Sequence, residues 1–261
     1  MTRSLDLVDT LVATGREDFT FEDACSILAA PAPTTAKVLR QLRAQGLVDR
    51  LSRDHYVVRP LGLLGTSTTA DDLPLAVAAA FGDRLHRIAY ASALGELGML
   101  THPVRTITVA CVRQVRRPSL GSRPLHVVIE RETTIHLGAE AVGRSWRSGI
   151  ERAIFDCALR VDLAGGPYFL AEGLVRAAPT VQARHLAPLV AAFGPRGRAA
   201  ERRVASLARA LDLPLALDPR VGADRPVIRL DPDDDHIEWV DARYRVAWSV
   251  TIDELRNVVE T

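Results

Sequence analysis

The sequence predicts an α+β protein: a small N-terminal domain of three helices and a hairpin, then a larger mixed α+β domain. Three observations predict it. Short helical apolar stripes, separated by Gly15, the Pro31–Pro33 break and Gly46, fill the first 50 residues, and two β-prone runs follow. Farther along, strands come in groups instead of alternating with helices. The composition is that of a globular chain, with 261 residues, 48% hydrophobic, 25% charged and net charge +1, which excludes a disordered chain. That length suits one or two domains.

The first helix spans residues 4–14, with Leu5, Val8, Leu11 and Val12 as its apolar stripe and Gly15 as its stop. Thr20 with Asp23 forms a capping box that starts a second helix through Ala24, Ile27 and Leu28. Glu22 and Asp23 suit the positive end of its dipole. After the break at Pro31-Ala32-Pro33, Thr34 or Thr35 caps a third helix that turns Val38, Leu39 and Leu42 inward and ends at Gly46. Leu47–Leu51 and His55–Val58 flank the polar tip Ser52-Arg53-Asp54, which makes a hairpin.

Three helices and a β-hairpin make a winged helix-turn-helix. The run Thr34-Thr35-Ala36-Lys37-Val38-Leu39-Arg40-Gln41-Leu42-Arg43-Ala44-Gln45-Gly46-Leu47-Val48 resembles the recognition helix and first wing strand of winged-helix regulators. The outer face of that helix carries Thr35, Lys37, Arg40, Gln41 and Ala44. The hydroxyls of Thr34 and Thr35 suit a phosphate at the helix start. Arg40 and Gln41 reach base edges in a major groove. Arg53 at the wing tip, with Arg50, faces a flanking phosphate or the minor groove. His55 and Tyr56 read as packing within the wing. The competing reading is a winged helix that docks proteins and has no DNA role.

Residues 1–60 are thus the first domain, 61–72 a Gly-, Ser- and Thr-rich linker, and 73–261 the second domain. That domain opens with two helices over 73–100, the first carrying Leu75, Val77 and Phe81. Strands follow at 104–112 and 125–129, with a third at 133–137. A helix at 148–159 takes Ser148 as its cap. Helices occupy about 168–176, 180–192 and 197–211, then strands near 226–230, 237–240 and 244–249, and a last helix near 251–260.

The small net charge hides blocks. Residues 34–59 carry 6 basic and 2 acidic residues, residues 102–152 carry 9 and 4, and residues 210–261 carry 6 and 12. A polyanion responds to local potential. Arg113, Arg116, Arg117, Arg123, Arg144 and Arg147 therefore form a second basic set, which either extends a nucleic-acid footprint, faces a protein partner, or is a solvated face paired with acids. Of 33 basic residues only Lys37 is lysine, which reads first as base composition of the genome.

Other classes are excluded. Cys25, Cys111 and Cys157 lie too far apart for a disulfide scaffold or a zinc site, so a reducing compartment is expected. No apolar run reaches the roughly 18 residues of a membrane span. The acidic Asp6 falls where a secretion signal needs an apolar core, so a cytoplasmic location is expected. Gly121-Ser122 ahead of Glu130 and Glu132 echoes a nucleotidyltransferase pattern, but Arg123-Pro124 and a strand follow where a helix start must hold phosphate. Residues 231–236 mimic a calcium loop, but His236 stands where glycine is required. No catalytic set, metal site or cofactor is expected.

The order of motifs is informative. After the winged helix come Tyr90-Ala91-Ser92-Ala93-Leu94-Gly95-Glu96-Leu97-Gly98, a basic strand, Ser148-Gly149-Ile150-Glu151-Arg152-Ala153-Ile154-Phe155-Asp156, and Trp239-Val240-Asp241-Ala242-Arg243-Tyr244-Arg245-Val246-Ala247-Trp248. This order resembles the AbiEi family, the antitoxins of type IV toxin–antitoxin (abortive infection) operons. The resemblance implies a repressor that binds repeats in its own promoter on double-stranded DNA. It also implies a larger domain that counteracts a nucleotidyltransferase-like toxin, directly or functionally. Ser92, Glu151, Arg152 and Asp156 read as scaffolding, with Ser92 near a helix start and the acids paired with arginines. The alternative is a winged-helix transcription factor whose larger domain senses a ligand.

Overall fold

The computed structural model describes residues 3–16, 18–51, 53–59, 72–115, 120 and 123–259. The fold is mixed α+β. The chain divides into two compact units, Met1–Asp83 with Val115–Leu125, and Arg84–Gln114 with His126–Thr261. The division after Asp83 differs from a second domain beginning at residue 73. An apolar stripe shows that a helix buries a face but not against what, so the helix at Leu73–Phe81 could not be assigned from its own residues. Positions 61–71 of the expected linker lie outside the described residues.

In the first unit, α1 (Arg3–Ala13), α2 (Phe21–Leu28) and α3 (Ala32–Ala44) pack with β1 (Asp18–Thr20), β2 (Val48–Arg50) and β3 (His55–Val58). The strands form an antiparallel sheet in the order β1-β3-β2. The core joins Leu7, Leu11, Phe19, Leu39, Leu42, Val48 and Tyr56, with Phe19 and Tyr56 stacked at 5.6 Å. Leu7 takes the inward place expected of Val12, which is 61% exposed. The capping box is present: Asp23 N donates to Thr20 Oγ1 at 3.0 Å, and Thr20 N donates to Asp23 Oδ2 at 2.8 Å. By contrast α3 starts at Ala32 behind Pro31, with no side-chain cap, because Pro33 in its first turn already dispenses with an N–H. Neither Thr34 nor Thr35 caps it. A bidentate pair, Arg59 to Asp49 at 2.9 and 2.8 Å, ties the end of β3 to β2. The helix α4 (Leu73–Phe81) is capped by Asp72, whose side chain accepts from Leu75 N at 2.9 Å.

The second unit is built on a five-stranded sheet ordered β6-β5-β4-β8-β7. Its strands are β4 (His86–Ile88), β5 (Ile107–Cys111), β6 (Leu125–Ile129), β7 (Ala139–Val142) and β8 (Ser145–Ser148). Around it lie α5 (Tyr90–Glu96), α6 (Glu132–Ile135), α7 (Ile150–Leu159), α8 (Val161–Ala164), α9 (Pro167–Ala177) and α10 (Ala183–Ala210). Every residue of α7 from Arg152 on is buried. Two helices expected at 180–192 and 197–211 are the arms of α10, which breaks at Gly194, where φ is +56°. Three short strands, β9 (Ile228–Arg229), β10 (Trp239–Asp241) and β11 (Val246–Trp248), form a second sheet, and α11 (Ile252–Val259) packs on α9. No helix among the described residues is long and apolar enough to cross a membrane.

Two assignments are corrected here. The β-branched run at 133–137 is not a strand; it contains α6, because tertiary partners claim its carbonyls. Ser148 does not cap α7. Gly149 holds that position, and Ser148 Oγ donates to Asp156 Oδ2 at 3.1 Å.

That bond belongs to a closed ring of buried charges. Arg87 on β4 donates to Asp156 Oδ2 at 2.6 Å and to Glu130 Oε2 at 2.7 Å. Arg152 donates to Asp156 Oδ1 at 2.7 Å and to Glu130 Oε1 at 2.6 Å. Further N–H groups bond Ile135 O at 2.7 Å, Thr134 O at 2.9 Å, Leu137 O at 2.7 Å and the Ser148 hydroxyl. Burial pushes the Asp156 carboxyl up, but the charges and hydrogen bonds of Arg152 and Arg87 outweigh it and hold it below its ordinary range. Tyr90 beside them is pushed far above a free phenol, first by burial and then by Asp156.

Two predictions follow from these contacts. Thr20→Ala removes the cap and should cost about 1 kcal/mol in urea unfolding. Asp23 is held below its ordinary range by the Thr20 backbone N–H, against burial and with help from the Thr20 hydroxyl and Arg16. Its contribution is therefore complete above the ordinary carboxylate pKa and fades as pH falls through the lower folded value, so the Thr20→Ala deficit should shrink in acid. Asp156→Asn leaves two guanidinium groups facing one carboxylate, and should cost about 3–5 kcal/mol by the same measurement.

Candidate nucleic-acid interface

Helix α3 reaches the surface because its apolar residues recur at one turn. Leu39 and Leu42 point into the core, so Lys37, Arg40, Gln41 and Arg43 are exposed on the other side. The β2–β3 hairpin then brings Arg50 and Arg53 beside them. Its geometry is fixed by Leu51 N donating to His55 O at 3.0 Å. A groove of about 350 Å³ results, and Arg40, Arg43, Arg50 and Arg53 all line it. Phe21, Ala36, Leu39 and Tyr56 give it an apolar floor, and Asp54 is the acid among its lining residues. The Arg50 guanidinium lies 5.9 Å from the centre of the Tyr56 ring and donates to Arg53 O. Among the described residues, the side chains of Arg40, Arg43 and Arg53 have no ion-pair partner. Four guanidinium groups crowded on one open concavity produce a positive local potential suited to a polyanion.

The expected site residues therefore separate. Arg40, Arg50 and Arg53 converge on the groove. Lys37 and Gln41 are exposed on α3 but do not line it. Thr34 is half-buried. Thr35 is fully buried, and its hydroxyl donates to Ala30 O at 3.3 Å, so it is not an outward contact. Its place four residues before Leu39 puts it on the core face, a spacing that outweighs its polarity. The amides of Thr34 and Thr35 both donate to Pro31 O at 3.0 Å, which occupies the N–H groups expected to meet a phosphate. Arg43 is the lining residue not singled out from the sequence; its spacing of three from Arg40 was the available signal.

The residues of the second basic set have different surroundings. Arg113 and Arg144 are exposed and Arg123 is half-buried. Arg116 and Arg117 lie outside the described residues. Arg147 points back onto the fold, donating to Glu140 Oε2 at 3.2 Å and Glu96 O at 3.5 Å. It sits on β8, an inner strand of its sheet, which limits how far it can extend.

The scaffolding residues of the second unit have defined partners. Ser92 Oγ accepts from Thr108 N at 2.8 Å, linking α5 to β5. Glu151 accepts from Gln182 N at 3.0 Å and pairs with His185 at 3.3 Å, instead of with an arginine. Among the described residues no cluster of His, Cys, Asp and Glu is arranged to hold a metal ion.

No family model matches the chain, and no curated protein matches it. Among solved structures it is similar to the crystal structure of the RV2827C protein from Mycobacterium tuberculosis. The two are 21% identical with a TM-score of 0.72, over 100% of this chain and 96% of that one. At that identity the likeness shows a shared α+β fold.

Thr35→Val keeps the shape of the side chain and deletes its donor to Ala30. It should lower stability by up to about 1 kcal/mol in urea unfolding while leaving the exposed groove arginines in place.

Proposed function

We propose that the protein is a DNA-binding autorepressor and an antitoxin of the AbiEi type. The observation that carries the DNA half is the convergence of Arg40, Arg43, Arg50 and Arg53 on one exposed groove. The element order α1-β1-α2-α3-β2-β3, with an antiparallel sheet ordered β1-β3-β2, supports a winged-helix reading in which α3 is the reading helix and β2–β3 the wing. In this reading α3 enters the major groove of promoter repeats. Arg40 addresses base edges there, with Lys37 and Gln41 beside it, and Arg50 and Arg53 hold the flanking backbone. The antitoxin half rests on the order of motifs in the sequence. The larger unit would counteract a nucleotidyltransferase-like toxin, without catalysis or cofactor of its own, in the cytoplasm.

A second reading, a winged-helix regulator that senses a ligand, is favoured by one observation. The larger unit carries a pocket of about 640 Å³, within the roughly 300–1,000 Å³ common for small-molecule sites.

The DNA reading is tested by titrating labelled promoter DNA at several salt concentrations. Arg40→Ala should weaken binding by about 1–3 kcal/mol and relax selectivity, whereas Arg53→Ala should weaken all sequences alike and lower the salt slope by about one. Affinity that is weak and insensitive to salt would reject it in favour of a protein-docking role. Growth rescue on co-expression with a nucleotidyltransferase-like neighbour tests the antitoxin half.

A further inference from the structure

The pocket of the larger unit lies between the approach to β5, strand β6 and the α8–α9 turn, apart from the buried charge ring. Its volume is about 640 Å³. Val104, Leu163, Ala164 and Phe169 line it with apolar surface, and Arg105, His102 and His126 stand at its exposed edge. The turn that shapes one wall depends on Gly165, whose φ is +92°; a Cβ there would meet Phe169 Cδ2 at 3.2 Å. Glycine thus lets the Phe169 ring come close to the turn, where it forms part of the apolar wall.

The charges are asymmetric. Asp162 also lines the pocket, but both its oxygens already accept from Arg160, at 2.8 and 2.6 Å. Arg105 has no hydrogen bond or ion pair among the described residues. The pocket therefore offers one open guanidinium, two imidazoles and one neutralised carboxylate beside an apolar wall. A guanidinium recognises a carboxylate through two parallel N–H donors, and an aromatic ring packs offset on another. A polyphosphate would find one free arginine and a largely apolar floor, and fits poorly.

We propose that this pocket binds a small aromatic monocarboxylate, its ring against Phe169 and its carboxylate on Arg105. The assignment does not depend on the DNA reading, since its test reads the larger unit alone. The full chain is titrated with 2-naphthoate and with its neutral analogue 2-naphthamide, following the methyl resonances of Val104, Leu163 and Ala164. Saturable shifts at these methyls are expected with the acid. Arg105→Gln should weaken the acid about tenfold and leave the amide unchanged. Arg105 is exposed, and a superimposable methyl spectrum elsewhere verifies that the variant is folded. The proposal is overturned by any of three results: no saturation at millimolar ligand, equal affinity for acid and amide, or shifts confined to the methyls of Ala36 and Leu39 in the first unit.

Discussion

Two guanidinium groups and two carboxylates, taken out of water together, organise the larger unit. Each isolated ion would lose several kcal/mol on leaving water, so none of the four is tolerable alone. Arg87, Arg152, Asp156 and Glu130 escape that cost because the ring closes: both acids accept from both arginines. Closure also fixes geometry. Arg87 stands on the central strand β4, Glu130 follows β6, and Arg152 and Asp156 lie one turn apart on α7. A slip of β4 by one residue would send its guanidinium to the other face of the sheet and break the ring. The ring therefore sets the register between sheet and helix more sharply than apolar contacts could.

The same groups solve a second problem. Helix α6 is a single turn, too short to satisfy its terminal carbonyls by intrahelical bonds alone. The arginines bond the carbonyls of Thr134, Ile135 and Leu137, stabilising a helix in a segment whose residues favour a strand. Helix α10 repeats the device. Arg202 bonds the carbonyls of Tyr244, Pro226 and Arg245, and Arg203 those of Arg229 and Ala158. Burial, with Arg202 nearby, pushes Arg203 down to about 10, still charged at neutral pH. Lysine could not replace these residues, because its ammonium lacks the planar fork that spans several acceptors. An arginine-rich composition that reads as genomic bias is, at these four positions, also a structural requirement.

How much of this was legible follows from where each signal resides. The capping box at Thr20 and Asp23, the hairpin around Arg53, strands β5 and β6 and the run of helices α7, α9 and α10 rest on local chemistry, and local chemistry is written in the sequence. Strand β4 was not legible. His86-Arg87-Ile88 is buried on both faces, so no alternation marks it, and its two polar side chains are satisfied by distant partners. The β7–β8 hairpin gives no apolar alternation, because Ser145 and Arg147 on one face of β8 are both polar and Trp146 shares the other with Ser148. At the candidate interface, Arg40, Arg50 and Arg53 were legible from exposure on α3 and at the hairpin tip. Thr35 misled, because polarity was weighed above its position on the core side of α3.

The contrast between the two populations of arginine carries the functional argument further than charge counting. In the larger unit the buried guanidinium groups direct most of their donors to carbonyls and carboxylates of the fold itself, so they build the fold. In the first unit Arg40, Arg43 and Arg53 crowd together with Arg50 around a groove whose lining includes one acid, Asp54. Arg50 is held by the Tyr56 ring and Arg53 O, but like charges lining one groove repel one another, which costs the folded chain some stability. In the proposed DNA-binding reading, an incoming phosphate backbone would remove that repulsion and release its own counterions at the same time. On that reading the groove is a place where stability is traded for binding.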